Sequence, residues 1–134
     1  MQLATSSGDQ PWICTVWFVV DDNLNLYWTS WTSRRHSQEI VSNQKIAAAI
    51  VVQDAQNTKG IGIQVEGDAT QLESYEIIKP IAEKYAAKFG FSSDWVEKFS
   101  SQQTKHKLYK LSPKRFVLFD EEHFPPNIGQ EFLP

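Results

Sequence analysis

Apart from a short helix predicted at residues 33–43, the first 72 residues have the hydrophobic pattern of β-strands. Residues 24–31 alternate between apolar and polar positions, and this period of two predicts a strand with one buried face. Residues 12–20 are β-branched and aromatic without such alternation, which indicates a strand covered on both faces. Clusters of turn-forming residues separate the segments. The strands predicted here are residues 3–6, 12–20, 24–31, 46–53 and 60–72, with a polar loop at 54–59.

The pattern changes to that of helices after residue 73. Apolar residues recur at three- and four-residue spacing between residues 74 and 89, and Gly90 is suited to end that helix. A shorter helix through Phe99 is predicted to be capped by Ser93 or Asp94. Strand character then returns in two segments, which are residues 107–111 and 115–120.

These elements predict a mainly β (α+β) fold, antiparallel, with about six strands and two or three helices. Short loops between successive strands favour a closed or nearly closed barrel, because closure removes exposed sheet edges. Gly67 is expected to mark a bulge or bend in its long strand. The chain contains 134 residues, and we expect a single domain over residues 1–134.

Composition narrows the range of partners. Hydrophobic residues make up 41% and charged residues 22%, as in ordinary globular proteins, and the net charge of −3 offers no basic surface for nucleic acid. No signal peptide and no apolar run of about 20 residues are present, so we expect a cytoplasmic protein without a membrane span. The single cysteine, Cys14, excludes an intrachain disulfide and is interpreted as a small hydrophobic residue.

The segment from residue 24 to 43 carries the strongest functional signal. It reads as a strand that leads into a short helix, with Ser33 as N-cap, Asn43 as C-terminal end, and Arg34 and Arg35 in the first turn. The positive end of a helix dipole disfavours arginine unless an anion lies between the arginine side chains and the free helix amides. A phosphate would accept from the free helix amides, from nearby hydroxyls and from both guanidinium groups. The sequence therefore predicts a phosphate-bearing ligand at this strand–helix junction.

Each of these residues also has a simpler interpretation. Arg34 and Arg35 form a solvated basic patch if they pair with Glu39 one turn along the helix. His36 either contacts the ligand or supports the residues that do. Of the tryptophans, Trp28 fits the buried core and Trp31 is the better candidate for a ligand pocket. Ile40 and Val41 are predicted to be the buried residues of the short helix.

Motifs for other chemistries are absent from the sequence. No G-x-S-x-G, P-loop or G-x-G-x-x-G segment occurs, and no residue pair stands out as a general acid and base. The Glu121-Glu122-His123 run has no spaced partner, so we expect no metal site there. His106 is interpreted as an exposed strand start, and no histidine lies in a motif that would predict a haem ligand. Chemistry, if any, must come from a cofactor.

The order of elements resembles the pyridoxamine 5′-phosphate oxidase-like family, the split barrels that bind flavin mononucleotide (FMN). The resemblance extends over nearly the whole chain. It implies a six-stranded antiparallel split β-barrel of the Greek-key type and a homodimer with FMN sites at the subunit interface. It is carried by LATSSGDQPWICTVWFVVDD (residues 3–22), LYWTSWTSRRHSQEI (26–40), IQVEGDATQLE (63–73) and LYKLSPKRFVLFD (108–120).

The resemblance also assigns expected roles to individual residues. Ser33, Arg34 and Arg35 match the phosphate-binding turn after the third strand of the family. Gln64 matches a strand position that can reach the flavin from the barrel wall. The remaining cofactor-binding positions are Thr29 and Ser30, along the phosphate and ribityl chain, and Thr15, Val16 and Trp17, whose backbone runs along the isoalloxazine ring.

Departures from the family pattern limit the expected reaction. Residues 121–134 do not match the C-terminal substrate-binding segment of true pyridoxamine phosphate oxidases, so we do not expect vitamin B6 oxidation. The family usually places a helix before the first strand, and this sequence starts at the strand. The predicted function is a flavin-dependent oxidoreductase acting on an unidentified small molecule. The alternatives are a non-catalytic carrier of flavin or deazaflavin, and a dimer whose pocket is filled by its own Trp31.

Overall fold

The computed structural model describes residues 1–51, 60–125 and 128–134. The polar loop predicted at 54–59 lies outside these ranges. Eight strands and three helices occur among the described residues. In chain order they are β1 (Gln2–Ser7), β2 (Gln10–Thr15), β3 (Val19–Val20), β4 (Leu26–Trp31), α1 (Arg35–Ser42), β5 (Lys45–Val51), β6 (Ile61–Leu72), α2 (Tyr75–Phe89), α3 (Ser93–Ser100), β7 (His106–Asp120) and β8 (Gln130–Phe132).

The strands form one antiparallel sheet in the order β2-β1-β5-β6-β7-β4-β3, and β8 pairs with β7. Leu3 of β1 and Trp28 of β4 lie four strands apart in this order, yet both belong to one buried cluster. The sheet must therefore curl around that cluster. Its two ends, β2 and β3, do not pair in the sheet order, so the barrel is split rather than closed. The fold is mainly antiparallel β with three helices, as predicted.

The strand count of eight differs from the expected six for identifiable reasons. Residues 12–20, predicted as one strand, divide into β2 and β3, which end up at opposite ends of the sheet. Val16–Phe18 connect them, and apolar content alone does not reveal that break. The short β8 was not predicted, because a Pro-rich segment of mixed character precedes it. In the other direction, the two strands predicted at 107–111 and 115–120 are one continuous β7.

Gly67 lies where β6 and β7 shift register, which confirms the bulge predicted from this glycine. Glu66 pairs with Arg115 and Gly67 pairs with Pro113, so Lys114 is the extra residue on β7. A Cβ atom built on Gly67 would lie 2.2 Å from the Ser112 carbonyl oxygen. Only glycine permits this close approach of two backbones.

Two hydrophobic clusters occupy the two sides of the sheet. The barrel cluster is centred on the fully buried Trp28, whose ring stacks on Tyr109 with centroids 5.6 Å apart. The second cluster joins α2 and α3 to the outside of the β3–β4–β7 region, through residues such as Ile78 and Phe99. Burial of Trp28 confirms its prediction as a core residue. No helix within the described ranges is long and apolar enough to cross a membrane.

Helix α2 fixes the connection between the two ends of the sheet. The Tyr85 hydroxyl donates to the Trp17 carbonyl at 3.1 Å, and Lys88 Nζ donates to the Phe18 carbonyl at 2.9 Å. The Trp17 indole also stacks on Phe89, with ring centroids 4.9 Å apart. The connection between β2 and β3 is therefore held against the helix, which keeps the gap in the barrel at a defined place.

The helix boundaries agree with the sequence within a residue or two. Helix α2 ends at Gly90, whose left-handed conformation (φ 77°) suits a glycine C-cap. Ser92, one residue before the predicted position, caps α3 by accepting from the Trp95 amide. Asn43 ends α1 as predicted. The prediction that Val41 is buried was wrong: its side chain is 85% exposed, because the inward face of α1 carries polar residues instead.

Candidate functional site

A cleft of about 640 Å³ opens at the gap in the barrel. It is bounded by the edge strand β2 and its connection to β3, by the end of β4, by the first turn of α1, and by single residues of α2 and β7. This volume falls within the range typical of small-molecule sites. The lining residues are Trp12, Cys14, Thr15, Val16, Trp17, Thr29, Ser30, Trp31, Arg34, Arg35, His36, Tyr85 and His106.

The first turn of α1 presents unmatched positive charge to the cleft. The N-cap is Arg34 rather than the predicted Ser33, and it makes no side-chain cap hydrogen bond. No acidic residue occupies the first turn. The first amides of any helix lack intrahelical acceptors, and the helix dipole adds partial positive charge at the same end. Arg34 forms no ion pair within the described part of the chain, so its guanidinium group is available to an anion.

Arg35 is more tightly engaged by the protein. Its Nε donates to Glu39 Oε1 at 2.8 Å, which is the pairing that the simpler interpretation of the two arginines predicts. Glu39 is buried, and its other carboxylate oxygen accepts from the Thr5 hydroxyl. The guanidinium also lies over the Trp12 ring, 4.7 Å from its centroid. Arg35 therefore has a structural role, although it lines the cleft with its remaining donors.

A chain of three polar side chains runs along the inner wall of the cleft. Cys14 Sγ lies 3.3 Å from His36 Nδ1, and His36 Nε2 lies 2.7 Å from Ser30 Oγ. His36 and Ser30 are both more than nine-tenths buried. The other acceptor near the Ser30 hydroxyl, the Trp31 carbonyl, is at 3.4 Å. Three elements, β2, β4 and α1, are thus joined by side-chain hydrogen bonds at the cleft.

Burial keeps the members of this chain uncharged. It raises the pKa of the Cys14 thiol, and the negative charge of Glu39 raises it further. Burial lowers the pKa of His36, and the Arg34 charge acts in the same direction against the opposing effect of Glu39. Burial followed by the Arg34 charge also lowers the pKa of His106. At neutral pH the positive charge in the cleft therefore resides on the arginines.

Aromatic side chains form the outer walls. Trp17 is 63% exposed at the side of the cleft where α2 holds it. On the opposite side the Trp31 indole donates from Nε1 to His106 Nδ1 at 3.1 Å. Arg34 and Lys105 each place a cationic group 5.6 Å from the Trp31 ring centroid. Exposed planar rings of this kind are suited to contact with a flat aromatic ligand.

The cleft brings together seven of the nine predicted cofactor-binding residues. Ser33 lies in the turn before α1 and is not among the lining residues. Gln64 lies on β6 in a separate cavity of about 290 Å³. For Ser33 and Gln64, a role in binding the cofactor remains a prediction. The seven residues that line the cleft are Thr15, Val16, Trp17, Thr29, Ser30, Arg34 and Arg35.

Several lining residues were not singled out from the sequence. Cys14 was interpreted as a hydrophobic strand residue, and it contacts His36 in the cleft instead. Tyr85 has the helical spacing of a core residue, and that spacing hides the fact that its ring also lines the cleft. His106 is at the exposed start of β7, as predicted, but the pairing of β7 with β4 places it beside Trp31. Which of these side chains reach the cleft depends on the pairing of distant strands in the sheet, and local sequence patterns do not reveal that pairing.

The neutral, buried His36 makes the protein sensitive to acid. Its pKa in the folded state lies below the ordinary 6.5, so the unfolded chain takes up the proton first as the pH falls. We therefore expect the free energy of unfolding to decrease from about pH 7 downward, and His36→Asn to flatten that decrease. The midpoints of urea denaturation between about pH 5 and about pH 7.5 measure this decrease in the wild type and in the variant.

Two controls separate His36 from other titrating groups. The carboxylate of Glu39 has a lowered pKa, chiefly because it accepts from Thr5, so its contribution is lost only as the pH falls below 4.5. His123→Asn changes an exposed histidine in the turn after β7, where it pairs with Asp120 outside the cleft, and serves as the comparison variant. Equal pH slopes in the wild type and His36→Asn would contradict the assignment.

Comparison with known proteins agrees with this architecture. A family model described as pyridoxamine 5′-phosphate oxidase matches residues 1–119. No curated protein sequence matches the chain significantly.

Solved structures with the same fold have diverged far in sequence. A conserved hypothetical protein from Mycobacterium tuberculosis superposes with a TM-score of 0.73 at 16% identity, over 96% of this chain and 83% of that one. A haem storage protein from Vibrio cholerae superposes with a TM-score of 0.71 at 18% identity, over 89% of this chain and 83% of that one. An FAD-binding protein from Mesorhizobium loti superposes with a TM-score of 0.62 at 12% identity, over 86% of this chain and 80% of that one. At these identities the similarity establishes the fold.

Proposed function

The chain belongs to the pyridoxamine 5′-phosphate oxidase family, and on that premise we propose that it binds FMN and acts as a flavin-dependent oxidoreductase on a small molecule. The observation that carries the proposal is the first turn of α1. Arg34 stands there without an anionic partner among the described residues, and it opens into a cleft of suitable size. A helix N-terminus with a free guanidinium group and a hydroxyl, that of Ser30, is a typical phosphate site.

The donor set of the cleft fits the whole cofactor. Arg34, the first amides of α1 and the Ser30 hydroxyl would hold the phosphate, and Thr29, which also lines the cleft, would contact the ribityl chain. The backbone of residues 15–17 and the Trp17 indole offer a surface for the ring. Bound flavin would supply two-electron transfer, which the side chains of the cleft do not provide themselves. The protein would bind, orient and shield it.

A homodimer would complete the site. Thr15, Gln2, Ala49 and Gln64 face each other in one row across β2, β1, β5 and β6. With strands about 4.8 Å apart, Gln64 lies about 14 Å from Thr15 on the outer face of the sheet. That face exposes Ile13 (64%) and Val51 (63%), which favours burial against a second copy. A two-fold axis through it would bring Gln64 of one protomer toward the cleft edge of its partner.

The role of Gln64 is tested by the reduction potential of the bound flavin. A hydrogen-bond donor near the pyrimidine side of the ring stabilises the reduced anion, so Gln64→Leu should lower the potential. Gln103→Leu changes an exposed glutamine outside both cavities and serves as the control. An unchanged potential in Gln64→Leu with FMN still bound would remove Gln64 from the site. Equilibrium dye titration gives the potential.

The visible absorption spectrum tests the cofactor itself. The protein is measured as purified, and again after FMN addition and desalting. We expect a retained flavin spectrum at about one flavin per chain, because phosphate and ring are held by separate parts of the cleft. No retained flavin in a dimeric protein would overturn FMN as the cofactor. Deazaflavin, offered in the same way, then tests the next candidate.

A haem alternative is supported by one observation. His106 lines the cleft, and no described residue forms a hydrogen bond with its Nε2. Because its Nδ1 accepts from the Trp31 indole, Nε2 carries the hydrogen, and ligation of iron through Nε2 would require Trp31 to release Nδ1. The same absorption spectrum distinguishes bound haem from bound flavin, since haem gives an intense Soret band and flavin does not. His106→Ala should abolish haem binding and leave flavin binding intact.

Turnover distinguishes an oxidoreductase from a carrier. An enzyme should pass electrons from bound reduced flavin to oxygen or an added acceptor faster than free reduced flavin does, whereas a carrier should slow that transfer by shielding the ring. Stopped-flow reoxidation makes the comparison directly. The reading in which Trp31 fills the cleft is disfavoured by its bond to His106, which holds the indole at the wall. Quenching of tryptophan fluorescence by FMN would exclude that reading.

A further inference from the structure

We propose that Cys14 and His36 set the orientation of the Ser30 hydroxyl, so that its hydrogen points into the cleft as a donor to an anionic group. This inference rests on the proposed phosphate site and assigns two positioning residues to it. It begins from the contacts already described: Cys14 Sγ to His36 Nδ1 at 3.3 Å, and His36 Nε2 to Ser30 Oγ at 2.7 Å.

A neutral imidazole has one N–H, and its location decides what Ser30 can do. If Nδ1 carries the hydrogen, Nε2 is an acceptor and takes the hydrogen of the Ser30 hydroxyl. Ser30 then presents only lone pairs to the cleft and repels an anion. If Nε2 carries the hydrogen, it donates to Ser30 Oγ, and the hydroxyl hydrogen is free to donate elsewhere.

Cys14 selects the second arrangement. Burial and the nearby Glu39 charge raise the pKa of the thiol, so Cys14 is protonated and carries an S–H donor. Burial and the Arg34 charge lower the pKa of His36, so the imidazole is neutral and can accept. A thiol donates to nitrogen more readily than it accepts, and the S–H therefore favours a lone pair at Nδ1 and a hydrogen at Nε2.

The freed hydroxyl hydrogen has a defined destination. The nearest alternative acceptor, the Trp31 carbonyl, is 3.4 Å from Ser30 Oγ, beyond the usual length of a hydroxyl hydrogen bond. The cleft beside Ser30 contains Arg34 and the first amides of α1, which are all donors. A phosphate dianion offers only acceptors, so a wall made entirely of donors matches it. The Ser30 hydroxyl is a donor to that phosphate only when Cys14 and His36 orient its hydrogen toward the cleft.

The histidine tautomer tests this arrangement without a ligand. In ¹⁵N-detected NMR of the ligand-free protein, we expect His36 with Nε2 protonated and Nδ1 bare. Cys14→Ala should shift the population toward the Nδ1–H form. Cys14→Ser restores an O–H donor at the same place and should restore the wild-type tautomer. An Nδ1–H form in the wild type would overturn the inference, as would a tautomer unaffected by Cys14→Ala.

Ligand affinity supplies the second measurement. Loss of one oriented donor should weaken FMN binding about 2- to 10-fold in Cys14→Ala, while riboflavin, which lacks the phosphate, binds as before. In a Ser30→Ala background the same change should have no further effect, because the hydroxyl it orients is absent. Independent, additive effects of Cys14→Ala and Ser30→Ala would overturn the inference. Urea midpoints verify that each variant is folded.

The outcomes separate this inference from the proposed function. A wild-type protein that binds FMN but shows the Nδ1–H tautomer contradicts the orientation of Ser30 alone. A wild-type protein that binds neither FMN nor inorganic phosphate contradicts the phosphate site, and the donor role of Ser30 with it. Competition between inorganic phosphate and FMN, but not between phosphate and riboflavin, places the anion at the wall that Ser30 and Arg34 share.

Discussion

Replacing Arg34 with alanine is expected to lower FMN affinity about 10- to 150-fold and to leave riboflavin affinity unchanged. The side chain has no ion-pair partner within the described ranges and lies at the positive end of α1, so a phosphate would be its main partner. A hydrogen bond to a charged group contributes about 1.5–3 kcal/mol, which corresponds to this range of affinity. Fluorescence titration with both flavins measures the difference.

Two further variants define the interaction. Arg34→Lys keeps the charge but loses the planar fork, and we expect an intermediate affinity because an ammonium group binds phosphate through single contacts. Lys98→Ala removes a cation that pairs with Asp94 on α3, far along the chain from the cleft, and should bind FMN as the wild type does. A proportional loss of riboflavin binding in Arg34→Ala would indicate that Arg34 supports the cleft rather than the phosphate.

Arg35→Ala is not an equivalent experiment, since Arg35 has structural contacts as well. Its loss would leave the buried Glu39 carboxylate with Thr5 as its remaining side-chain partner and would remove the contact with Trp12. A change in FMN affinity for this variant would therefore combine a direct and an indirect effect. Arg34 lies over the Trp31 ring but has no ion pair among the described residues, so its replacement tests the phosphate contact more directly.

Gly67→Ala is expected to cause a large loss of stability without touching the cleft. Its Cβ would lie 2.2 Å from the Ser112 carbonyl oxygen and 2.9 Å from Pro113 Cα, and both are backbone atoms that cannot rotate away. Relieving that overlap requires β6 and β7 to separate at the bulge. We expect a loss of about 3 kcal/mol, the upper end of the range for overpacking, and a fall in Tm of about 10 °C.

Gly62 provides a matched control on the same strand. A Cβ at Gly62 would meet only the Ile50 carbonyl oxygen at 3.3 Å, a tight contact that a small adjustment relieves. Gly62→Ala should therefore change stability by less than about 1 kcal/mol. Urea denaturation of both variants without ligand gives the comparison. Similar midpoints for the two would show that the backbones do not approach closely at Gly67.

The elements that sequence patterns predicted best were those whose information is local. A strand within residues 24–31 and a helix that ends at Gly90 are both present in the structure, because strand propensity and capping depend on neighbouring residues. The prediction of one buried face was wrong for β4, which begins at Leu26 and is covered on both faces, since Tyr27 packs in the cluster with the helices and Trp28 in the barrel. The unusual arginines before α1 were recognised in the same way, since a helix N-terminus disfavours cations whatever the fold. Gly67 was recognisable as an irregularity within its own strand.

Tertiary structure decided what depends on pairing between distant segments. Residues 12–20 have one continuous apolar pattern, yet the sheet places β2 and β3 at its opposite ends, and the gap between those ends becomes the cleft. Only that closure brings Cys14 within reach of His36, and only the pairing of β4 with β7 sets His106 beside Trp31. Hydrophobic periodicity states which face of a segment is buried, and it does not state which other segment covers that face. The sequence by itself thus determined the β-rich class and the anion-seeking turn, whereas the side chains that surround that turn were chosen by the folding of the sheet.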